Sequence, residues 1–187
     1  MKKTLLFIIP LVFALSTCMA QSSSVAYNSG VNLVNIGIGV GTPFFGSGYS
    51  ASLPVNPTVS YERGITDAIS VGGQLSYASY KYSFSDGYIA NNYSIKYSAT
   101  YIGARASYHL SQLLSIPDKF DLYGGASVGY VVVGASDNQG NAAILGSAFG
   151  VGGFAGGKYY FSSSTAVYAE LGYQSLSYLN IGIAFKF

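Results

Sequence analysis

Five charged residues stand where an alternating strand pattern sends side chains away from the apolar face: Glu62, Arg105, Lys158, Glu170 and Lys186. An enclosed charge without a partner costs several kcal/mol, so each needs an opposite charge nearby. Glu170 is placed to pair with Lys158 or Lys186 on the two neighbouring strands. Such a set supports two kinds of chemistry. It can plug a narrow lumen with ion pairs, or it can form a charged ring that gates and selects ions in a small channel.

Other candidates are weaker. His109 is the single histidine, and a serine hydrolase would need it as base with a carboxylate to orient it. Asp118 and Asp121 fall in or beside a Pro-containing connection, so the sequence assembles no triad. Gly152-Gly153-Phe154-Ala155-Gly156-Gly157-Lys158 matches the start of a phosphate-binding loop. It then has Tyr159 where Ser or Thr should hold magnesium, and a strand where a helix should begin. Gly37-Ile38-Gly39-Val40-Gly41 lies inside a strand and cannot open a dinucleotide-binding helix. Both glycine runs read as room for larger inward groups. No Cys/His cluster suggests a metal, so no cofactor is expected and the chain reads as a non-enzyme.

The elements that position these residues are strands. Val34, Ile36, Ile38 and Val40 share a face opposite Asn35, Gly37, Gly39 and Gly41. A second strand runs from Val55 to Arg63, with Gly64-Ile65-Thr66-Asp67 as a tight turn. Ile69, Val71, Leu75 and Tyr77 mark the third. In the fourth the pattern slips from odd (Ile95, Tyr97, Ala99, Tyr101) to even (Ile102, Ala104, Ala106, Tyr108), which predicts a β-bulge at Tyr101-Ile102. A long connection runs from His109 to Asp121. Strands over 122–134, 149–160 and 167–173 follow. The eighth is the terminal segment, where Leu179, Ile181, Ile183, Phe185 and Phe187 alternate with Asn180, Gly182, Ala184 and Lys186.

The front end and composition name the solvent. Lys2 and Lys3, the apolar stretch 5–15 and the small residues 16–20 read as a secretory signal peptide cut after Ala20. Acylation at Cys18 is a second reading, disfavoured by Thr17. Loss of Lys2 and Lys3 leaves seven of the nine basic residues against seven acidic ones. That near-neutral balance offers nothing to nucleic acid. Only 9% of the chain is charged, against roughly 25% in soluble proteins. After residue 20 no apolar run is long enough for a helical span, which needs about 20 residues. An apolar, nearly uncharged, exported chain without such spans fits a closed β-barrel in a membrane. The polar face carries mostly Gly, Ser, Asn, Gln and Thr, too little charge for a water-facing exterior and suited to a narrow interior. Tyr61, Tyr77, Tyr108, Tyr159, Tyr173 and Tyr178 fall near strand ends, as interfacial girdles do.

The pieces Ser60-Tyr61-Glu62-Arg63-Gly64-Ile65-Thr66-Asp67, Asp121-Leu122-Tyr123-Gly124-Gly125-Ala126, Gly156-Gly157-Lys158-Tyr159-Tyr160-Phe161, Tyr168-Ala169-Glu170-Leu171-Gly172-Tyr173 and the segment 179–187 resemble the small bacterial outer-membrane β-barrel family. That family includes the OmpA-type transmembrane domain and porin-like proteins. The resemblance implies an all-β, up-and-down, eight-stranded antiparallel transmembrane barrel over 21–187, behind a signal peptide at 1–20. It also implies that Phe185 and Phe187 act as a signal to the outer-membrane insertion machinery. His109-Leu110-Ser111 is similar in spacing to outer-membrane lipid A deacylases, but the residues after Ser111 lack the deacylase-like Asn. The expected protein is a monomer in outer-membrane lipid, with its termini in the periplasm. Its role is structural or surface-interacting, with a porin-like channel for ions or small solutes as the alternative.

Overall fold

The computed structural model describes residues 26–41, 50–52, 55–84, 93–110, 113–114 and 117–187. The expected signal peptide with Cys18, and Ser111, lie outside the described residues. The strands are β1 (Asn32–Val40), β2 (Ser50–Ala51), β3 (Asn56–Gly64), β4 (Ile69–Phe84), β5 (Tyr93–His109), β6 (Phe120–Asp137), β7 (Ala142–Tyr160), β8 (Thr165–Gln174) and β9 (Leu179–Lys186).

Antiparallel pairing runs β1–β3–β4–β5–β6–β7–β8–β9 and returns from β9 to β1. Eight strands close a ring, and β2 is a two-residue ribbon on the upper part of β4. The closure has a measurable stagger. Partners followed once round from Phe149 pass through Tyr130, Ile102, Leu75, Val59, Ile36, Ile183 and Val167 to Tyr159. That is ten residues along the strand they left, a shear that tilts the strands by about 35–45°.

The faces are inverted relative to a water-soluble barrel. Ile36, Val59, Leu75, Ile102, Val128, Val151, Leu171 and Ile181 point outward and are exposed. Asn35, Ser60, Gln74, Arg105, Ser127, Glu170 and Asn180 point inward and are buried. That distribution suits a barrel solvated by hydrocarbon, where pairing of every strand leaves no backbone edge in the apolar layer. Outward aromatics gather at two levels. Tyr130 against Phe149 (5.9 Å) and Tyr173 against Tyr178 (6.3 Å) mark one. Phe120 against Tyr159 (5.1 Å), with Tyr61 and Tyr108, marks the other.

Strand lengths divide the ring into two sides. β1, β3, β8 and β9 have 8–10 residues, whereas β4 to β7 have 16–19. About 9–11 tilted residues cross a bilayer, so the four long strands project beyond the ring as a sheet. Alternation alone stops short of the projecting end: it predicts a fifth strand only to residue 134, where β6 runs to Asp137, and a sixth only from 149, where β7 begins at Ala142.

The phase slip in the fourth strand is not a bulge. β5 keeps one register along both neighbours, from Tyr93 to Tyr108 against β4 and from Ile95 to His109 against β6. Tyr101 and Ala99 point inward with Arg105, so the inside turns apolar near the projecting end while the pleat continues unbroken. The irregularity lies between Val133 and Gly134 of β6. There Gly146 and Ile144 take successive partners and Leu145 is the extra residue. Gly146, with φ +151°, occupies a backbone conformation that favours glycine.

Candidate functional site

The lumen holds the concentrated chemistry. At its centre Arg105, from β5, reaches two carboxylates on opposite sides. Its Nε lies 3.0 Å from Glu62 Oε1 of β3, and its Nη2 donates to Glu170 Oε1 of β8 at 2.8 Å. Nη1 donates to Gln74 Oε1 at 3.2 Å, and the guanidinium lies 4.3 Å from the centre of the Phe154 ring. The free oxygen of Glu62 accepts from the Ser70 and Ser107 hydroxyls at 2.8 and 2.7 Å. Tyr123 donates its hydroxyl to Glu170 at 2.9 Å. One planar cation thus bridges strands on both sides of the barrel, a fork geometry that lysine does not offer.

A second cluster lies nearer the mouth that carries both chain ends. His109 Nδ1 is 2.8 Å from Asp121 Oδ1, and Lys158 Nζ is 3.6 Å from Asp121 Oδ2 and 3.9 Å from the Tyr123 ring centre. Lys186 donates to the Ala26 carbonyl at 3.5 Å and lies 4.9 Å from the Tyr160 ring centre. Among the described residues, inward Glu62, Asp121 and Glu170 balance inward Arg105, Lys158 and Lys186.

The pairing of Glu170 with Lys158 or Lys186 does not form, and register is the reason. Glu170 stands opposite Gly156 on β7 and Asn180 on β9. Lys158 lies two residues away from that level and Lys186 six, both toward the terminal mouth. Asp121 was the residue that sequence reading misplaced. β6 begins at Phe120, so Asp121 is a strand residue aimed at His109 rather than part of a connection. The alternation of buried Asp121, Tyr123 and Ser127 with outward Leu122, Ala126 and Val128 was the available signal.

Ser70, His109 and Asp121 are hydrogen-bonded in the order of a hydrolase relay, with Ser70 Oγ 3.0 Å from His109 Nε2. The surroundings oppose acyl transfer. Glu62 Oε2 sits 2.8 Å from the same Ser70 oxygen, placing a carboxylate where an oxyanion would develop. All three residues are buried. Tyr27 stacks on the imidazole at 3.5 Å and 5°, and its hydroxyl donates to the Thr66 carbonyl. The relay serves as a tie between β4, β5, β6 and the lead-in 26–31, which is tucked into the terminal mouth.

Among the described residues, the opposite mouth is filled by apolar side chains. Leu176, between β8 and β9, is buried with Ala78, Tyr80, Ala99, Tyr101 and Val131, and its carbonyl accepts from Asn56 Nδ2 at 2.7 Å. Interior glycines make the remaining fit. A Cβ on Gly37 would collide with the Tyr168 hydroxyl, and one on Gly156 would lie 2.9 Å from the Tyr123 ring. Beyond that mouth, Asp137 ends β6 in a solvent-exposed hairpin. The Asn141 side chain and the amides of Asn141 and Gln139 hold its carboxyl below the usual carboxylate range. Phe185 lies on the outward parity of β9, and Phe187 pairs its backbone with Asn32 at 2.8 and 3.0 Å.

No family model matches the chain, and no curated protein does by sequence. Solved structures do resemble it. The outer membrane protein OprG of Pseudomonas aeruginosa aligns over 89% of this chain and 99% of its own, with 14% identity and a TM-score of 0.50. The N-terminal β-barrel domain of Pseudomonas aeruginosa OprF covers 86% and 99% at 16% identity and a TM-score of 0.48. Ail, the attachment invasion locus protein of Yersinia pestis, covers 85% and 99% at 15% identity and a TM-score of 0.48. At such identities the OprG likeness speaks for the fold, a small outer-membrane-type eight-stranded barrel.

Proposed function

We propose that this protein is a monomeric, non-enzymatic barrel of the outer membrane, exported behind a cleaved signal peptide, whose lumen is a structural plug rather than a pathway. The observation that carries the reading is the continuous filling of the interior. Tyr27 and the Asp121 cluster fill one mouth, the Arg105 cluster occupies the middle, and Leu176 with Tyr101 and Val131 fills the other. An aqueous channel needs a wetted polar wall, whereas these side chains turn to one another. Balanced charge makes the filling affordable in a low-dielectric interior. In this reading Phe185 and Phe187 belong to the segment that the insertion machinery recognises, and the projecting sheet is the surface through which the protein meets partners.

Planar-bilayer recording of the refolded protein tests the plug. The expected trace is flat. Reproducible conductance steps that change on Glu170→Ala would replace the plug with the porin-like alternative.

A further inference from the structure

The terminal mouth carries a recess beside the plug. It lies between the connection before β6, the turn from β7 to β8 and the end of β9, and measures about 260 Å³. Asp118 and Lys119 line it from the connection, and Phe161, Ser162 and Ser163 from the turn. Tyr160 and Lys186 line it from the ends of β7 and β9. Backbone bonds hold these pieces together. Tyr160 N donates to the Lys119 carbonyl at 2.8 Å, and Lys186 N donates to the Ser164 carbonyl at 2.8 Å. The walls are therefore set before any ligand arrives.

The recess offers charges of both signs. Among the described residues the side chains of Asp118 and Lys119 make no ion pair or hydrogen bond. Lys186 is buried, with its ammonium 3.5 Å from the Ala26 carbonyl oxygen and 4.9 Å from the Tyr160 ring centre. Salt screens such a buried charge little. Ser162 Oγ accepts from the amides of Ser164 and Thr165 at 3.3 and 3.0 Å, which leaves its hydroxyl proton to donate. Two ammonium groups and a hydroxyl thus face an anion, and one carboxylate faces a cation. A ligand that carries both charges on a short chain fits that set.

Position narrows the choice. The outward rings of Phe120 and Tyr159 follow and precede Lys119 and Tyr160, and Phe161 is 59% exposed. These aromatics place the recess at a girdle, the depth of lipid headgroups. A pocket for a drug-sized ligand measures about 300–1,000 Å³, so this one admits a headgroup and leaves acyl chains outside.

We propose that the recess binds the phosphoethanolamine headgroup of a membrane phospholipid, its phosphate toward Lys119, Lys186 and Ser162 and its ammonium on Asp118. The inference goes beyond the plug and rests on the membrane placement of the barrel. The ethanolamine ammonium donates N–H bonds to a carboxylate, whereas choline, with three methyls on nitrogen, has none to donate. Selection between the two zwitterions therefore falls to Asp118.

The test uses the full-length protein refolded in dodecyl maltoside. It is titrated with lysophosphatidylethanolamine and with lysophosphatidylcholine of the same chain length, and amide shifts are read at residues 118–119 and 161–163. The ethanolamine lipid should bind about tenfold tighter, the worth of a charge-assisted hydrogen bond in a partly exposed site. Asp118→Asn should remove that preference, and Lys119→Gln should weaken both lipids. Both side chains are exposed, so both variants should keep the heat-modifiable gel mobility of the folded barrel. Equal binding of the two lipids, a preference that survives Asp118→Asn, or no loss with Lys119→Gln would overturn the proposal. So would tighter binding of lysophosphatidylglycerol, which would make the recess a plain anion site. Equally tight binding of free phosphoethanolamine would overturn the lipid assignment, since the ligand would then be a soluble one. A conducting lumen would remove the plug and leave this result standing.

Discussion

The two ends of the lumen are closed by opposite chemistry. Toward the terminal mouth the filling is ionic and specific, with Arg105 held between Glu62 and Glu170. Toward the projecting sheet it is apolar, with Leu176 over Ala78, Ala99, Tyr101 and Val131. The ionic end lies within the lipid-facing band, where an enclosed charge needs a counter-charge, and Arg105 meets Glu62 and Glu170 there while Lys158 meets Asp121. The apolar end rises toward bulk water, where burial of hydrocarbon itself drives closure. The same barrel therefore uses polar contents where the surroundings are oil and apolar contents where they are wet.

That contrast predicts unequal costs. Arg105→Met removes the cation that touches both Glu62 and Glu170 and leaves them as buried carboxylates without a directly paired counter-charge. Breaking one partner of a buried ionic set costs about 3–5 kcal/mol. Urea unfolding in lipid vesicles, followed by heat-modifiable gel mobility, should show a loss of that size. Adding Glu62→Gln and Glu170→Gln should restore most of it, because neutral amides no longer need the cation. A triple variant as unstable as the single one would mean that Arg105 acts through packing on Phe154 rather than through charge.

Leu176→Ala is the corresponding break at the apolar end. It removes a fully buried side chain and opens a cavity against Tyr101 and Val131, for about 2–3 kcal/mol. Neither end should respond to salt. The cavity cost should be insensitive to ionic strength, as should the buried Arg105 network, which salt screens little. A strong salt dependence at Arg105 would show that water reaches the centre of the lumen.

How much of this was legible follows from what alternation encodes. Period-two patterning records which face a residue takes, so Glu62, Arg105, Lys158, Glu170 and Lys186 could be placed inward from sequence. It carries no register. Whether Glu170 meets Gly156 or Lys158 depends on the shear of the whole ring, which no local window contains. The apolar inner residues Ala99 and Tyr101 imitated a bulge for the same reason. Patterning reports hydrophobicity, and here the inside changes character along its length. Asp121 was lost because the Pro-containing connection masked the first strand residue after it.

The smallest expected effect lies outside both closures, at Asp137. Its carboxylate accepts from the Asn141 side chain at 2.8 Å and from the amides of Asn141 and Gln139 at 2.9 and 3.0 Å. These bonds favour the charged form, so the folded hairpin holds the carboxyl below its ordinary value. The sign follows. The contribution is fully present above the ordinary carboxylate pKa and is lost as pH falls through the lowered one. Amide exchange at residues 138–141, corrected for intrinsic rates, should therefore stay protected from pH 7 to about 4 and loosen only at more acid pH, on the carboxylate scale. Asp137→Asn should remove that acid step while leaving the lumen clusters unaffected, because the bonds of the Asp137 carboxylate run to Asn141 and Gln139 within the exposed hairpin. A step that persists in Asp137→Asn would place the acid sensitivity outside this hairpin.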